Sequence, residues 1–278
     1  MQSNLATSPA GTDPTDADTA NDDVYHVAYA EGMSSELDGL QTMLRPLEND
    51  PNVLAACLIG SYARKTSVTD ASSDIDVVAI FADDVDDAIR RSLVRSARGG
   101  QRTARPIELQ TIRCSALQRL VEQRTVYGAH LAREARILFD HTGAFARFRA
   151  AFPLTEPIPE TADHLRSRLS PYEHLDWCNG RYLFCLADLY AIGRSGAMLG
   201  LAQRGTFEFD RRRVFRRFAD CHPANRNAIQ VLRALEPFYM LVRRKADVAA
   251  RLPFSPTDCH SDAIAARDAC NALLALLK

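Results

Sequence analysis

The sequence predicts an α+β protein in which a small mixed β-sheet domain precedes an all-helical domain. Short apolar runs alternate with helical patterns between Val53 and Asp140, whereas only helical patterns remain after Phe145. The first arrangement is typical of a small sheet with interspersed helices, and the second of a helical domain. We therefore predict an acidic disordered tail (residues 1–23), a sheet domain (24–148) and a helical, substrate-binding domain (149–278).

The composition indicates a globular protein with a proper core. Of 278 residues, 46% are hydrophobic and 25% are charged, and the net charge of -1 gives no overall attraction to nucleic acid or membrane. Seven scattered cysteines without a C-x-x-C pair indicate reduced thiols, and the N-terminus shows no signal peptide. No uncharged apolar run reaches the ~18 residues of a membrane span. We expect a cytoplasmic protein that does not contact membranes.

The N-terminal region changes character near residue 34. Residues 1–23 contain five aspartates and no basic side chain, so they cannot bury enough apolar surface to offset the entropy of ordering. This composition predicts the disordered tail. From Ser34, leucines and Met43 recur at helical spacing, and the sequence Asn49-Asp50-Pro51 ends the predicted helix.

Four apolar segments predict the strands of the sheet. A continuous run such as VLAACLI is typical of a strand buried on both faces. The predicted strands cover residues 53–59, 74–81, 105–112 and 136–140. A helix that ends at Gly99-Gly100 follows the second strand, and one long helix from Ser115 to about Arg136 follows the third.

Helices fill the chain beyond Phe145. Four or five helical patterns are separated by prolines, and Pro237 is expected to kink the helix that contains it. Gly196 and Gly200 lie one helical turn apart, which indicates close packing against another helix.

The second strand begins with two aspartates, Asp74 and Asp76. Alternate residues of a strand share a face, so both carboxylates emerge together. Neighbouring carboxylates repel each other and are costly to bury unless a cation lies between them. Glu108, in RPIELQTI, joins this cluster if its strand pairs beside that of the aspartates. Three such carboxylates predict two Mg²⁺ ions for in-line phosphoryl-type transfer.

A Gly-Ser pair follows the first strand and is suited to bind phosphate. Gly60 lets phosphate oxygens approach the backbone, and Ser61 adds a hydroxyl and an N–H donor. Arg64 and Lys65 lie one turn further on and are candidates for contacting a triphosphate. The plain alternative is a turn glycine followed by two solvated surface aspartates.

These motifs resemble the DNA polymerase β-like nucleotidyltransferase superfamily over residues 53–140, chiefly in GSYAR and SDIDVV and also in IELQTI. The resemblance implies a short mixed sheet, an NTP co-substrate with Mg²⁺, and release of pyrophosphate. It also implies that Asp74, Asp76 and Glu108 are the metal ligands and that Gly60-Ser61 bind the β- and γ-phosphates. The sequence departs from the usual pattern in having Lys65 where glycine is common, and in its longer loop before the aspartates.

The helical part looks most like the antibiotic-modifying, kanamycin nucleotidyltransferase-like branch; the minimal nucleotidyltransferases are the other branch considered. In the first branch a glutamate of the helical domain accepts the proton of the acceptor hydroxyl. Glu173 in PYEHLDWCN is the matching position, and Asp176 and Asp188 are reserve candidates. The plain alternative for Glu173 is a solvated helix face. The resemblance implies transfer of AMP from ATP to a hydroxyl of a small, aminoglycoside-like acceptor.

Two other functions stay open from the sequence. A toxin-type nucleotidyltransferase would modify tRNA or a protein hydroxyl, and the basic run Arg211–Arg217 could contact an RNA backbone or only increase solubility. A non-catalytic nucleotide-binding module would keep the fold alone. The sequence also leaves the oligomeric state open, with a homodimer as one option.

Overall fold

In a computed structural model of the chain, the four predicted strands form one mixed sheet. The structure describes residues 38–64, 74–99, 106–175, 182–244 and 256–278, so the predicted tail lies outside the described residues. The strand order is β3-β2-β1-β4; β2 and β3 are parallel, and the other two pairs are antiparallel. The strands are β1 (Val53–Ile59), β2 (Ile75–Phe81), β3 (Ile107–Arg113) and β4 (Arg136–Asp140). The predicted α+β class is confirmed.

Apolar clusters cover both faces of this sheet. Side chains alternate along the central strands, so Cys57 and Val78 join one cluster while Leu58 and Val77 join the other. This confirms the prediction that β1 is buried on both faces. Two helices, α1 (38–48) and α3 (Asp87–Gly99), contribute to the cluster on the Leu58 face.

The opposite face carries three helices, and the first two lie where the sequence predicted one long helix before β4. That prediction was wrong because Arg124 adopts a left-handed conformation, with φ of 47°. Thr125 then caps a new helix by accepting a hydrogen bond from the Gly128 N–H at 3.0 Å. The helices are α4 (Cys114–Gln123), α5 (Val126–Glu134) and, after β4, α6 (Ala144–Ala151).

The remaining helices pack around α8, which is largely buried. A Cβ atom at Gly196 would lie 2.6 Å from Leu273, and one at Gly200 would lie 2.5 Å from Phe218, so the predicted close packing is present. The helices are α7 (Asp163–Leu169), α8 (Tyr182–Ala202), α9 (Arg211–Cys221), α10 (Arg226–Ala234), α11 (Glu236–Arg244) and α12 (Pro256–Leu274).

Pro237 does not kink a helix, contrary to the prediction. The chain leaves α10 at Leu235, and Pro237 lies in the first turn of α11, where a missing N–H removes no intrahelical hydrogen bond.

The predicted boundary at residues 148/149 crosses a shared core. Phe145 and Phe148 pack in the same apolar cluster as Phe207 and Phe209, so the two predicted domains share buried surface. The division into a sheet domain and a helical domain stays a prediction. Among the described helices, none combines the length and apolar character needed to span a bilayer.

Candidate active site

The Gly-Ser turn lies directly beside one of the predicted metal ligands. β1 ends at Ile59, which is in register with Asp76 of β2, and the short helix α2 (Gly60–Arg64) follows. Gly60 has a φ of +72°, and a Cβ atom there would lie only 2.5 Å from Asp76 Oδ2. Any other residue would combine an unfavourable backbone conformation with a collision. Glycine is therefore required for this approach of backbone and carboxylate.

The strand register brings Asp76 and Glu108 together on neighbouring strands. β2 and β3 pair in parallel with Asp76 opposite Glu108, and paired strands lie about 4.8 Å apart. Both residues occupy the positions that face the cluster containing Val78. Asp74, directly before β2, continues the same alternation. Asp74 and Asp76 are half-buried and Glu108 is exposed, so solvent can reach all three.

All three side chains offer carboxylate oxygens, which are the donors that Mg²⁺ prefers. In the part of the chain that the structure describes, no three His, Cys, Asp or Glu side chains are gathered as a ready-made metal site. The adjacent pair Asp76 and Glu108 nevertheless fits a Mg²⁺ ion that completes its coordination with phosphate oxygens and water.

Arg64 is held in place by an ion pair that the sequence did not reveal. Its Nη1 donates to Glu134 Oε2 at 2.5 Å, and both side chains are largely buried. Burial raises the pKa of Glu134, but the hydrogen bond from His130 and the charge of Arg64 outweigh this effect and keep the pKa below its usual value. Ser61 is half-buried in α2, and Lys65 lies outside the described residues.

Two residues near this site were missed by the sequence analysis. The Tyr127 hydroxyl donates to Gln110 Oε1 at 3.2 Å, and burial, with smaller effects from the charges of Cys57 and Asp76, raises its pKa to about 12. Arg194 projects from α8 and donates to the Phe209 carbonyl at 2.9 Å. The signal that could have identified Arg194 was the lone basic residue of a helix whose only other charged residue is Asp188.

Burial lowers the pKa of Arg194, and the charges of Arg211 and Arg64 add to this effect. Arg194 is connected to Arg64 by direct contacts, because the ring of Phe209 stacks on His130, whose Nε2 lies 3.2 Å from the Glu134 partner of Arg64. Arg194 belongs to the predicted helical domain and Arg64 to the predicted sheet domain. The site therefore has a guanidinium group on each side of the shared core, and Glu134 balances the charge of Arg64.

The predicted proton acceptor, Glu173, is exposed and lies outside the helices. It follows the 3₁₀ turn Ser170–Tyr172, so it has the solvated surface position of the plain alternative, although that position is not on a helix face. Its backbone carbonyl accepts a hydrogen bond from Arg267 at 3.2 Å. Of the reserve candidates, Asp188 accepts hydrogen bonds from Arg168 at 2.6 Å and from Tyr172 at 2.8 Å, and Asp176 lies outside the described residues.

The basic run on α9 is partly neutralised by carboxylates of the same chain. Glu208, buried at 7% exposure, lies 3.2 Å from Arg217 and 3.8 Å from Arg213, and Glu236 lies 2.9 Å from Arg211. The proposed contact of this face with RNA stays a prediction.

Neither the scan of protein-family models nor the search of curated proteins finds a match to this chain. Among solved structures, the spectinomycin adenyltransferase AAD(9) from Enterococcus faecialis, solved with ATP and spectinomycin, is similar at 13% identity and a TM-score of 0.49, covering 86% of this chain and 99% of that one.

Two further structures are similar over part of the chain. A nucleotidyltransferase-like protein from Exiguobacterium sibiricum has 12% identity and a TM-score of 0.34, covering 86% of this chain and 74% of that one. A toxin–antitoxin with AMP-PNP has 18% identity and a TM-score of 0.28, covering 41% and 80%. Because identity and TM-score are low in every case, the functional assignment of this chain rests on the geometry of Gly60, Asp76 and Glu108.

Proposed function

We propose that the chain is a metal-dependent nucleotidyltransferase that moves AMP from ATP to a hydroxyl of a small, aminoglycoside-like acceptor and releases pyrophosphate. One observation carries the proposal: Gly60 approaches the carboxylate of Asp76, which is itself in register with Glu108. A glycine turn beside carboxylates on neighbouring strands supports a site in which the backbone would bind phosphate next to oxygen ligands for a metal.

Mg²⁺ ions would be held by Asp74, Asp76 and Glu108, with substrate phosphates as further ligands. When bound, Mg²⁺ would lower the pKa of the acceptor hydroxyl and neutralise the charge that develops on pyrophosphate. The remaining contribution of the chain is positional. Gly60 leaves room for the Asp76 carboxylate beside the turn, and Ser61 would donate to the triphosphate from its hydroxyl.

Arg64 offers guanidinium hydrogen-bond donors beside the triphosphate, with Glu134 balancing its charge. Its ion pair with Glu134 limits its side-chain motion, so little entropy would be lost when phosphate binds. Arg194 approaches the same region from the helical half of the chain, because it donates to the carbonyl of Phe209, whose ring stacks on His130. The two guanidinium groups would favour closure of the shared core around an anionic nucleotide.

The transfer forms one bond and breaks another at the α-phosphorus. The acceptor oxygen bonds to the α-phosphorus as the bond from this phosphorus to the bridging oxygen of pyrophosphate breaks. The acceptor's proton goes to a carboxylate of the chain, and Glu173 stays our proposed acceptor of that proton. Its exposed side chain is open to a substrate, whereas Asp188 is engaged by Arg168 and Tyr172.

The test is incubation of the full chain with each α-labelled NTP and Mg²⁺, with no acceptor, with an aminoglycoside panel or with total tRNA. We expect label from ATP on an aminoglycoside and equimolar pyrophosphate. Label only on RNA or on the protein would refute the small-molecule acceptor. Absence of transfer, combined with unchanged thermal stability in Mg²⁺ and ATP, would refute nucleotidyl transfer altogether.

A further inference from the structure

A cavity of about 290 Å³ lies between α3 and β3 and is strongly basic. We call it the arginine groove; its polar lining is Arg90, Arg91, Arg95, Arg98 and Thr111, with Leu109 in its wall. The arginines lie along one side of α3, and β3 is the first strand in the sheet order. The groove therefore follows an edge of the sheet.

The arginine groove is separate from the candidate active site. Leu109 and Thr111 occupy alternate positions of β3, and Glu108 and Gln110 occupy the positions between them. Alternate residues of a strand face opposite sides of the sheet. The groove therefore opens on the face away from Asp76, and its charge has no role in the proposed transfer.

Most of the positive charge in the groove lacks an internal counter-charge. Arg90 donates to Asp87 at 3.1 Å and to Thr111 at 3.1 Å, but its buried Nε has no hydrogen-bond partner. Arg98 donates to the Leu109 carbonyl at 3.4 Å. Within the described ranges, no carboxylate forms an ion pair with Arg91, Arg95 or Arg98. The arginines of α9 differ in this respect, because Glu208 and Glu236 form ion pairs with three of them.

Guanidinium groups clustered on one face repel each other and favour an anionic occupant. The chain itself contains such an anion: residues 1–23 carry five aspartates and no lysine or arginine. The segment therefore offers five carboxylates to the four guanidinium groups that line the groove.

The acidic segment is also near enough to reach the groove. Residues 23 and 38 are separated by a length of chain that spans up to about 50 Å when extended. α1, which begins the described part of the chain, and α3 contribute to the same apolar cluster, on the face where the groove opens. A tethered segment of this length has an effective local concentration of the order of millimolar.

We propose that the acidic segment at residues 13–23 docks in the arginine groove, with aspartate side chains accepting charge-assisted hydrogen bonds from Arg91, Arg95 and Arg98. The occupant is the chain's own segment, and an external polyanion such as RNA competes for the same groove. This inference does not depend on the proposed transfer.

Arginine modification by phenylglyoxal, followed by peptide mass spectrometry, tests the proposal on the full chain. The comparison variant replaces Asp13, Asp16, Asp18, Asp22 and Asp23 by Asn. We expect Arg91 and Arg95 to react at least threefold more slowly in the wild-type chain than in the variant at low salt. The difference should vanish at ~1 M NaCl, where exposed charges are screened.

Arg212 and Arg216 of α9 are the internal control, because both are exposed and lie away from the groove. Their rates should be the same in both chains. Equal rates at Arg91 and Arg95 in the two chains would overturn the proposal. It would also be overturned if oligouridylate protected these arginines equally well in both chains, because an occupied groove must resist a competitor.

Discussion

Replacing Gly60 by alanine tests the candidate site directly. Two effects follow from the structure. A non-glycine residue at φ +72° costs roughly 1–2 kcal/mol. In addition, the new Cβ would lie 2.5 Å from Asp76 Oδ2, so the carboxylate must move by roughly 1 Å to reach an ordinary contact distance.

Gly143→Ala provides a matched control for the backbone effect. Gly143 has a φ of +70°, but its nearest atom to an added Cβ is Arg147 Nη1 at 3.4 Å, at the tip of a flexible side chain. Both variants should therefore lose similar stability, a decrease in Tm of roughly 2–8 °C. Only Gly60→Ala should displace a proposed metal ligand, and a misplacement of about 1 Å can reduce a rate by about 10²-fold.

The assay has two readouts, thermal unfolding and transfer of label from α-labelled ATP at saturating Mg²⁺. We expect similar Tm decreases for the two variants, with transfer reduced ~100-fold in Gly60→Ala and less than ~3-fold in Gly143→Ala. If the two variants retained equal activity, the contact between Gly60 and Asp76 would have no part in catalysis, and the proposed site would be wrong.

Three further outcomes are expected. Asp76→Asn and Glu108→Gln should each abolish Mg²⁺-dependent transfer while Tm changes by less than ~2 °C, because the substitutions keep the side-chain size and both positions are open to solvent. Retained transfer in either variant would remove that residue from the metal site. Glu134→Gln should destabilise the fold by about 1.5–3 kcal/mol at pH 7, because it weakens a largely buried ion pair. Since His130 and Arg64 keep the pKa of Glu134 below 4.5, that stabilisation is present above pH 4.5 and is lost as the pH falls through the lowered pKa. Urea titrations should therefore show a smaller difference in unfolding free energy between wild type and variant at pH 3.5 than at pH 7. A constant difference would contradict the ion pair. Burial raises the pKa of Cys57 to about 12. A thiol reagent at pH 8 should therefore modify the half-exposed Cys114 and leave Cys57 unmodified until the protein unfolds. Equal rates of modification at the two cysteines would contradict the burial of β1.

Local periodicity determined most of the secondary structure. The apolar runs of β1 and β2 predicted buried strands, and the spacing of Asp74 and Asp76 placed both carboxylates on one face. Apolar side chains repeat every two residues in a half-buried strand and every 3.6 residues in a helix. This repeat involves only residues close together in the chain, so one sequence suffices to detect it. The points at which helices end were harder to predict. The turn at Arg124, for example, depends on how α4 and α5 cover the sheet.

Only the tertiary structure decided which distant residues meet. The register of β2 and β3 placed Glu108 opposite Asp76, and the fold paired Arg64 with Glu134, 70 residues away. On α9, the arginine run read as a free basic face in sequence, yet a buried Glu208 neutralises part of it. The sequence by itself determined which chemical groups are present and which face of a strand or helix they occupy. Their partners were decided by chain packing, because pairing energies depend on burial and distance that a linear pattern does not contain.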